Sequence, residues 1–151
     1  MPIKDKHFYK LFFTRINMDL KEIQKEHYNH LKMDILLVFP AQTKKITYKY
    51  TFPIGLASIS AILKKQGHNV DCLNMYHYNG TVEEKLKKWM DRKKYDVVGT
   101  GGYAIDFDPI RKIIEFTKNH KTKPISILGG IMVTTEPEVT FKLLNPDYAV
   151  I

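Results

Sequence analysis

Two glycine pairs carry the clearest chemical signal in this sequence. Gly101-Gly102 follow the run Asp96–Thr100, and Gly129-Gly130 follow Pro124–Leu128. Glycine at the end of a strand permits positive φ and lets the backbone come close to a ligand. With Thr100 and Tyr103 beside the first pair, and Phe39-Pro40 ending a third apolar run, these residues could open a slot. A bulky flat group or a nucleotide-like tail could lie in it. The same glycines could equally well make tight turns, and the residues alone leave both readings open.

Several common chemistries are excluded. The loop from Pro40 to Phe52 contains no glycine, so the first strand is not followed by a G-x-G-x-x-G dinucleotide fingerprint, and no P-loop is present. A phosphoryl-accepting receiver domain would need acidic residues where Phe39-Pro40 stand and an aspartate where Thr100-Gly101 stand. Ser-His-Asp chemistry has no nucleophile elbow to sit on. The single cysteine, Cys72, excludes an internal disulfide framework and any cysteine-rich metal or cluster site built by this chain alone. Its place in the alternation Val70-Asp71-Cys72-Leu73 predicts a small buried hydrophobe.

The elements that must position these loops alternate regularly from Met33 onward. Met33–Phe39 is a near-continuous apolar run, as a strand buried on both faces should be. Pro53–Gln66 predicts a helix with the stripe Leu56, Ile59, Leu63 and a C′ glycine at Gly67. Asn69–Asn74 is a second strand. Thr81 and Glu84 have the spacing of a capping box, opening a helix with apolar positions Val82, Leu86, Trp89 and Met90. Asp96–Thr100 is the third strand. Asp108 as N-cap and Pro109 at N1 start a helix whose stripe is Ile110, Ile113, Ile114 and Thr117. Pro124–Leu128 is the fourth strand, Thr135 and Glu138 frame a further helix, and Asp147–Ile151 is the fifth strand. Repeated strand–helix alternation implies an α/β, doubly wound, flavodoxin-like or Rossmann-like fold. Its five-stranded parallel sheet is expected in the order 2-1-3-4-5, with any ligand at the carboxyl ends of the strands.

Residues 1–32 differ from the rest and form a leader, with Leu20, Ile23, His27 and Leu31 at the spacing of an amphipathic helix over 19–31. No apolar run approaches the roughly 18 residues of a membrane span, and the N-terminus lacks the pattern of a secretory signal. No membrane partner is expected, and a cytoplasmic location is. The formal charge is +8, of which the leader holds seven Lys or Arg against four Asp or Glu. The other basic residues are dispersed as pairs such as Lys64-Lys65 and Arg111-Lys112. That is a solvated-surface pattern rather than the single patch that nucleic acid would need, so nucleic acid is not an expected partner.

Residues 53–70 read P-I-G-L-A-S-I-S-A-I-L-K-K-Q-G-H-N-V. Asp96-Val97-Val98-Gly99, the strand end Ile125–Gly130, the pair Pro137-Glu138 and the closing Pro146–Ile151 follow in order. This succession resembles the N-terminal cobalamin-binding domain of radical SAM enzymes, such as the anaerobic magnesium-protoporphyrin IX monomethyl ester cyclases. The resemblance covers residues 33–151. It implies a domain that holds cobalamin (vitamin B12) at the strand carboxyl ends through Phe39, Pro40, Thr100, Gly101, Gly102, Tyr103, Gly129 and Gly130. It further implies a partner in the same parent chain: a radical SAM domain carrying a 4Fe-4S cluster and S-adenosylmethionine. That part is expected to continue where this chain stops at Ile151, so no catalytic residue is expected here. The alternatives are a cofactor-free structural or interaction domain of the same fold and, more weakly, a basic nucleic-acid-binding module.

His77-Tyr78-Asn79-Gly80 supplies the H-x-x-G of the D-x-H-x-x-G signature with which methionine-synthase-like proteins ligate cobalt. Met75 replaces the aspartate that would orient the imidazole, and the segment follows the second strand rather than the first. His77 is therefore not expected to be a metal ligand. The lower face of the corrin would meet the Pro40–Phe52 loop or solvent.

Overall fold

The computed structural model describes residues 32–42 and 53–151. The helix expected over 19–31 and most of the Pro40–Phe52 loop lie outside these residues. The described part alternates strand and helix throughout. Its elements are β1 (Asp34–Phe39), α1 (Ile54–Lys65), β2 (Asn69–Asn74), α2 (Val82–Met90), β3 (Val97–Gly101), α3 (Phe107–Asn119), β4 (Ile125–Gly129), α4 (Ile131–Thr135), α5 (Pro137–Leu144) and β5 (Tyr148–Ala149). The strands pair in parallel in the order β2-β1-β3-β4-β5, as the alternation implied.

Among the described residues the two faces of the sheet are covered unequally. On one face Leu36, Val38, Leu73 and Val98 meet Val82, Leu86 and Met90 of α2 and Ile113 of α3. The same face continues with Leu128 under Ile110 and Ile114 of α3, Met132 and Val133 of α4, and Leu144 of α5. Side chains of this size contribute about 1.5–3 kcal/mol each when fully buried, so this face dominates the stability of the domain. The other face holds a smaller cluster, Ile35, Leu37, Val70 and Val97, against Leu56 and Leu63 of α1.

Local signals in the sequence decide several element ends. Thr81 Oγ1 accepts from the Glu84 N–H at 3.2 Å and Glu84 Oε2 accepts from the Thr81 N–H at 2.7 Å, the capping box that their spacing predicted. Gly67 has φ +94° just beyond α1, as a C′ glycine should. Asp147 pins the start of β5, its Oδ2 accepting from the N–H and the hydroxyl of Ser126 at 2.8 and 2.7 Å. Burial alone would raise its pKa, but these hydrogen bonds and Lys118 outweigh that and hold the carboxyl below its usual range.

Other expectations need correction. α3 begins at Phe107, after a 3-10 turn over Ala104–Asp106, so Asp108 lies within the first turn rather than at the N-cap. There it is paired with Arg111 and Lys112 at 2.8 and 2.6 Å. Pro109 fits this first turn because its missing N–H would have no intrahelical acceptor there. The helix expected to start between Thr135 and Glu138 is two helices. Pro137 occupies the first position of α5, Glu136 before it is forced out of helical geometry, and Thr135 ends α4 with its hydroxyl donating to the Ile131 carbonyl. β3 and β4 each run one residue further than expected, so Gly101 and Gly129 belong to the ladder, while β5 has only two residues. Cys72 is exposed rather than buried. It lies on the edge strand, facing a groove beside α1 that leaves the thiol uncovered.

Candidate cofactor site at the carboxyl ends of the strands

Because all strands are parallel, every strand-to-helix loop that carries an expected site residue opens at one edge of the sheet. β1 delivers Phe39 and the buried Pro40 to that edge, β3 delivers Thr100 to Tyr103, and β4 delivers Gly129-Gly130. The residues singled out from sequence are thus brought together on β1, β3 and β4, the three central strands.

At the middle of this edge two backbones touch. Gly101 and Gly129 are register partners, and a Cβ on Gly101 would stand 2.4 Å from the Gly129 carbonyl oxygen. No side chain can occupy that space. Gly130 has φ +91°, and a Cβ there would fall 2.9 Å from the Gly102 nitrogen. A side chain at Gly129 would meet only the Val150 carbonyl oxygen at 3.9 Å, an ordinary contact. Two of the four glycines are therefore required by the seam itself, while Gly129 leaves open space above it. Met132 N–H donates to the Gly102 carbonyl at 3.2 Å and ties the turn after β3 to α4.

The candidate residues differ in what they can offer. The Thr100 hydroxyl is buried and donates to the Val38 carbonyl at 3.1 Å, so it braces β3 against β1 and presents no donor outward. Tyr103 is 66% exposed, with its N–H held by Asp106 Oδ2 at 3.1 Å. Phe39 packs its ring against Tyr76, centroid to centroid 6.0 Å.

Sequence reasoning missed part of the rim. Ile105 is 74% exposed, Ile54 70% and Ile131 52%, all at the starts of helices or turns on this edge. By residue type they read as core, and only their position after a strand end could have marked them. Gln42 was missed as well: its side-chain amide donates to the Ile105 carbonyl at 3.0 Å and links the loop after β1 to the turn after β3. A floor without side chains, edged by exposed aliphatic and aromatic groups, suits a broad flat apolar ligand with polar margins.

Two concavities among the described residues, each of about 450 Å3, flank the end of β2, and both are lined by His77 and Tyr78. One is the groove between α1 and Trp89 onto which Cys72 opens. Below the turn Met75–His77, the Lys85 ammonium is buried and donates to the Met75 carbonyl at 2.9 Å, and burial lowers its pKa.

Met75 is fully buried in the core, and its thioether supplies no carboxylate to orient an imidazole. His77 is exposed and sits beyond β2, beside the edge strand. His77→Ala is expected to leave cobalamin affinity and the visible spectrum of the complex unchanged. Loss of nitrogen superhyperfine coupling from the cob(II)alamin electron spin spectrum on this substitution would show the opposite. Among the described residues no three His, Cys, Asp or Glu side chains are grouped to hold a metal ion, and no helix is long and apolar enough to cross a membrane.

A parallel five-stranded sheet of this order, with a glycine seam at the carboxyl edge of its central strands, defines an open, doubly wound α/β domain. The chain belongs to the B12 binding domain family, which matches residues 46–151. Solved structures show the same fold. A cobalamin-binding protein from Desulfitobacterium hafniense DCB-2 is 17% identical, with a TM-score of 0.59 over 78% of this chain and 52% of that one. The radical S-adenosylmethionine methyltransferase TsrM from Kitasatospora setae, solved with cobalamin and a [4Fe-4S] cluster bound, is 20% identical, with a TM-score of 0.65 over 80% of this chain and 24% of that one. The cobalamin-dependent S-adenosylmethionine radical enzyme OxsB, solved with aqua-cobalamin and S-adenosylmethionine, is 16% identical, with a TM-score of 0.58 over 85% of this chain and 17% of that one. The chain thus spans between about one sixth and one half of the lengths of these structures. No curated protein matches it.

Proposed function

We propose that residues 33–151 bind cobalamin and form the cofactor-holding module of a larger radical SAM enzyme. The observation that carries this reading is the seam at Gly101, Gly129 and Gly130, floored by backbone and edged by Tyr103, Ile105 and Ile131. Gly129 and the turn Gly101–Tyr103 would hold the nucleotide tail, while Phe39, Pro40 and the exposed aliphatic groups would meet the corrin. The cofactor, when bound, supplies methyl-transfer or radical chemistry through its cobalt; this chain's residues bind it and fix its orientation. The polypeptide carrying the 4Fe-4S cluster and S-adenosylmethionine would be the module's partner in the same parent chain. A cytoplasmic setting accords with these partners.

The basic-module reading is weakened by the ion pairs. Lys93 bridges Asp34 and Asp71, and Arg111, Lys112 and Lys118 all have carboxylate partners, which leaves these cations little to offer a phosphate backbone.

The test is titration of the purified chain with hydroxocobalamin, followed by absorbance and calorimetry. Saturable binding is expected, and Gly129→Val should weaken it about tenfold, equivalent to ~1.4 kcal/mol, because the added methyls fill the space above the seam. Circular dichroism should first show the variant folded. Wild type that shows no saturable change would leave a cofactor-free interaction domain. A salt-sensitive response to single-stranded nucleic acid instead would favour the basic module. A gene that encodes no three-cysteine cluster motif beyond Ile151 would end the radical SAM assignment.

A further inference from the structure

The Gln42 side chain crosses the carboxyl edge of the sheet, from the loop after β1 to the turn after β3. Its amide nitrogen donates to the Ile105 carbonyl at 3.0 Å and to Asp106 Oδ1 at 3.4 Å. Both partners are acceptors, so the two amide hydrogens are divided between them, one each. The near end of this tie is fixed. Pro40 and Ala41, just before Gln42, are buried, and Ala41 packs in the cluster that holds Leu36, Val38 and Val98.

The far end is a small hydrogen-bonded unit. Asp106 Oδ2 accepts from the Tyr103 N–H at 3.1 Å, and the Asp106 N–H donates back to the Tyr103 carbonyl at 2.9 Å. Gly102 makes room for this carboxylate, since a Cβ there would stand 2.7 Å from Asp106 Oδ2 and 3.2 Å from the Asp106 Cβ. The two carboxylate oxygens therefore serve different ends: Oδ2 closes the turn on itself, and Oδ1 takes the tie from β1. Among the described residues the turn Ala104–Asp106 contains no buried residue, so hydrogen bonds set its shape. That turn carries Ile105, and Tyr103 precedes it.

We propose that Gln42 is a positioning residue for the cofactor edge: it locks the backbone of residues 103–106 before a ligand arrives and so sets where Tyr103 and Ile105 stand. Its amide acts through the turn and not on the ligand. A turn that is already ordered has no backbone freedom left to lose on binding, so affinity keeps what ordering would otherwise subtract. The side chains of Tyr103 and Ile105 stay free to adjust. What position 42 must supply is a donor. Alanine leaves the Ile105 carbonyl and Asp106 Oδ1 without one, and glutamate sets a further acceptor against them. Lysine, one bond longer than glutamine, supplies N–H donors to both. This inference rests on the reading of the strand carboxyl edge as the cobalamin site.

The test compares Gln42→Ala, Gln42→Lys and Gln42→Glu with wild type in the 151-residue chain, by amide hydrogen exchange without ligand and by titration with hydroxocobalamin. Gln42→Ala is expected to speed exchange across residues 103–106 about fivefold and to weaken hydroxocobalamin binding by about the same factor. Its melting temperature should stay within about 2 °C of wild type, because the side chain it shortens is exposed. Gln42→Lys should restore both readings, and Gln42→Glu should be worse than alanine in both. Weakened binding with unchanged exchange would overturn the proposal by showing that Gln42 touches the ligand itself. So would faster exchange with unchanged affinity, or a melting loss of about 6 °C or more, the mark of a purely structural residue. Wild type without saturable binding would end the cofactor reading and this inference with it. Wild type that binds while Gln42→Ala binds equally well would end this inference alone.

Discussion

Gly101→Ala is expected to destabilise the domain by about 2–4 kcal/mol, while Gly129→Ala one strand away changes stability little. The two glycines face each other in register, yet they are not equivalent. An alanine Cβ at Gly101 would lie 2.4 Å from a backbone oxygen and 2.7 Å from the carbonyl carbon of Gly129. Backbone cannot swing aside as the end of a flexible side chain could, so β3 and β4 would have to separate at their carboxyl ends. At Gly129 the nearest obstacle is 3.9 Å away. Urea denaturation of both variants measures the contrast, with the midpoint moving strongly for the first and little for the second. Equal destabilisation would mean that the seam relaxes easily, and the floor of the candidate site would not be a fixed surface.

Leu36→Ala should cost about 2–5 kcal/mol, whereas Ile125→Ala should cost under about 0.5 kcal/mol. Both are strand aliphatics of similar size within the same sheet. Leu36 is fully enclosed between β1 and the helices α2 and α3, and its removal leaves a cavity that the packed core cannot close. Ile125 faces the half-covered side, and shortening it removes contacts without leaving an internal void. Chemical denaturation of the 151-residue chain measures both. A cost at Ile125 approaching that at Leu36 would show that this face is covered in the isolated chain.

The sheet and its order could be read from sequence because buried parallel strands and capped helices leave strong local signals. The run Met33–Phe39, the Thr81–Glu84 box and the stripe Ile110, Ile113, Ile114 each mean one thing. The glycine pairs were legible as a candidate site for the same reason, but not which glycines the fold itself requires. That depends on the register between β3 and β4, which no single strand encodes. Cys72 and Ile59 misled for a related reason. Alternation and helical spacing assign a residue to a face but do not say whether that face is covered, and both lie where cover runs out. Ile105 and Ile131 went unnoticed because an aliphatic residue in sequence looks the same whether it faces a core or a ligand. The division of the last helix is signalled by Pro137, which opens α5, rather than by the spacing of Thr135 and Glu138.

The contact between Gly101 and Gly129 also bears on how an arriving ligand would be received. A floor made of side chains has rotamers to lose when something binds, and each ordered side chain subtracts about 0.5–1.5 kcal/mol from the affinity. A floor made of two touching backbones has none, and its shape is settled when β3 and β4 pair. Adaptation is left to the margins, where Tyr103, Ile105 and Ile131 stand exposed on turns and helix starts. If the proposed function holds, such a surface would tell ligands apart at its rim and accept them at its centre without rearrangement, so changes at the rim should alter which corrinoid is preferred more than whether one is held.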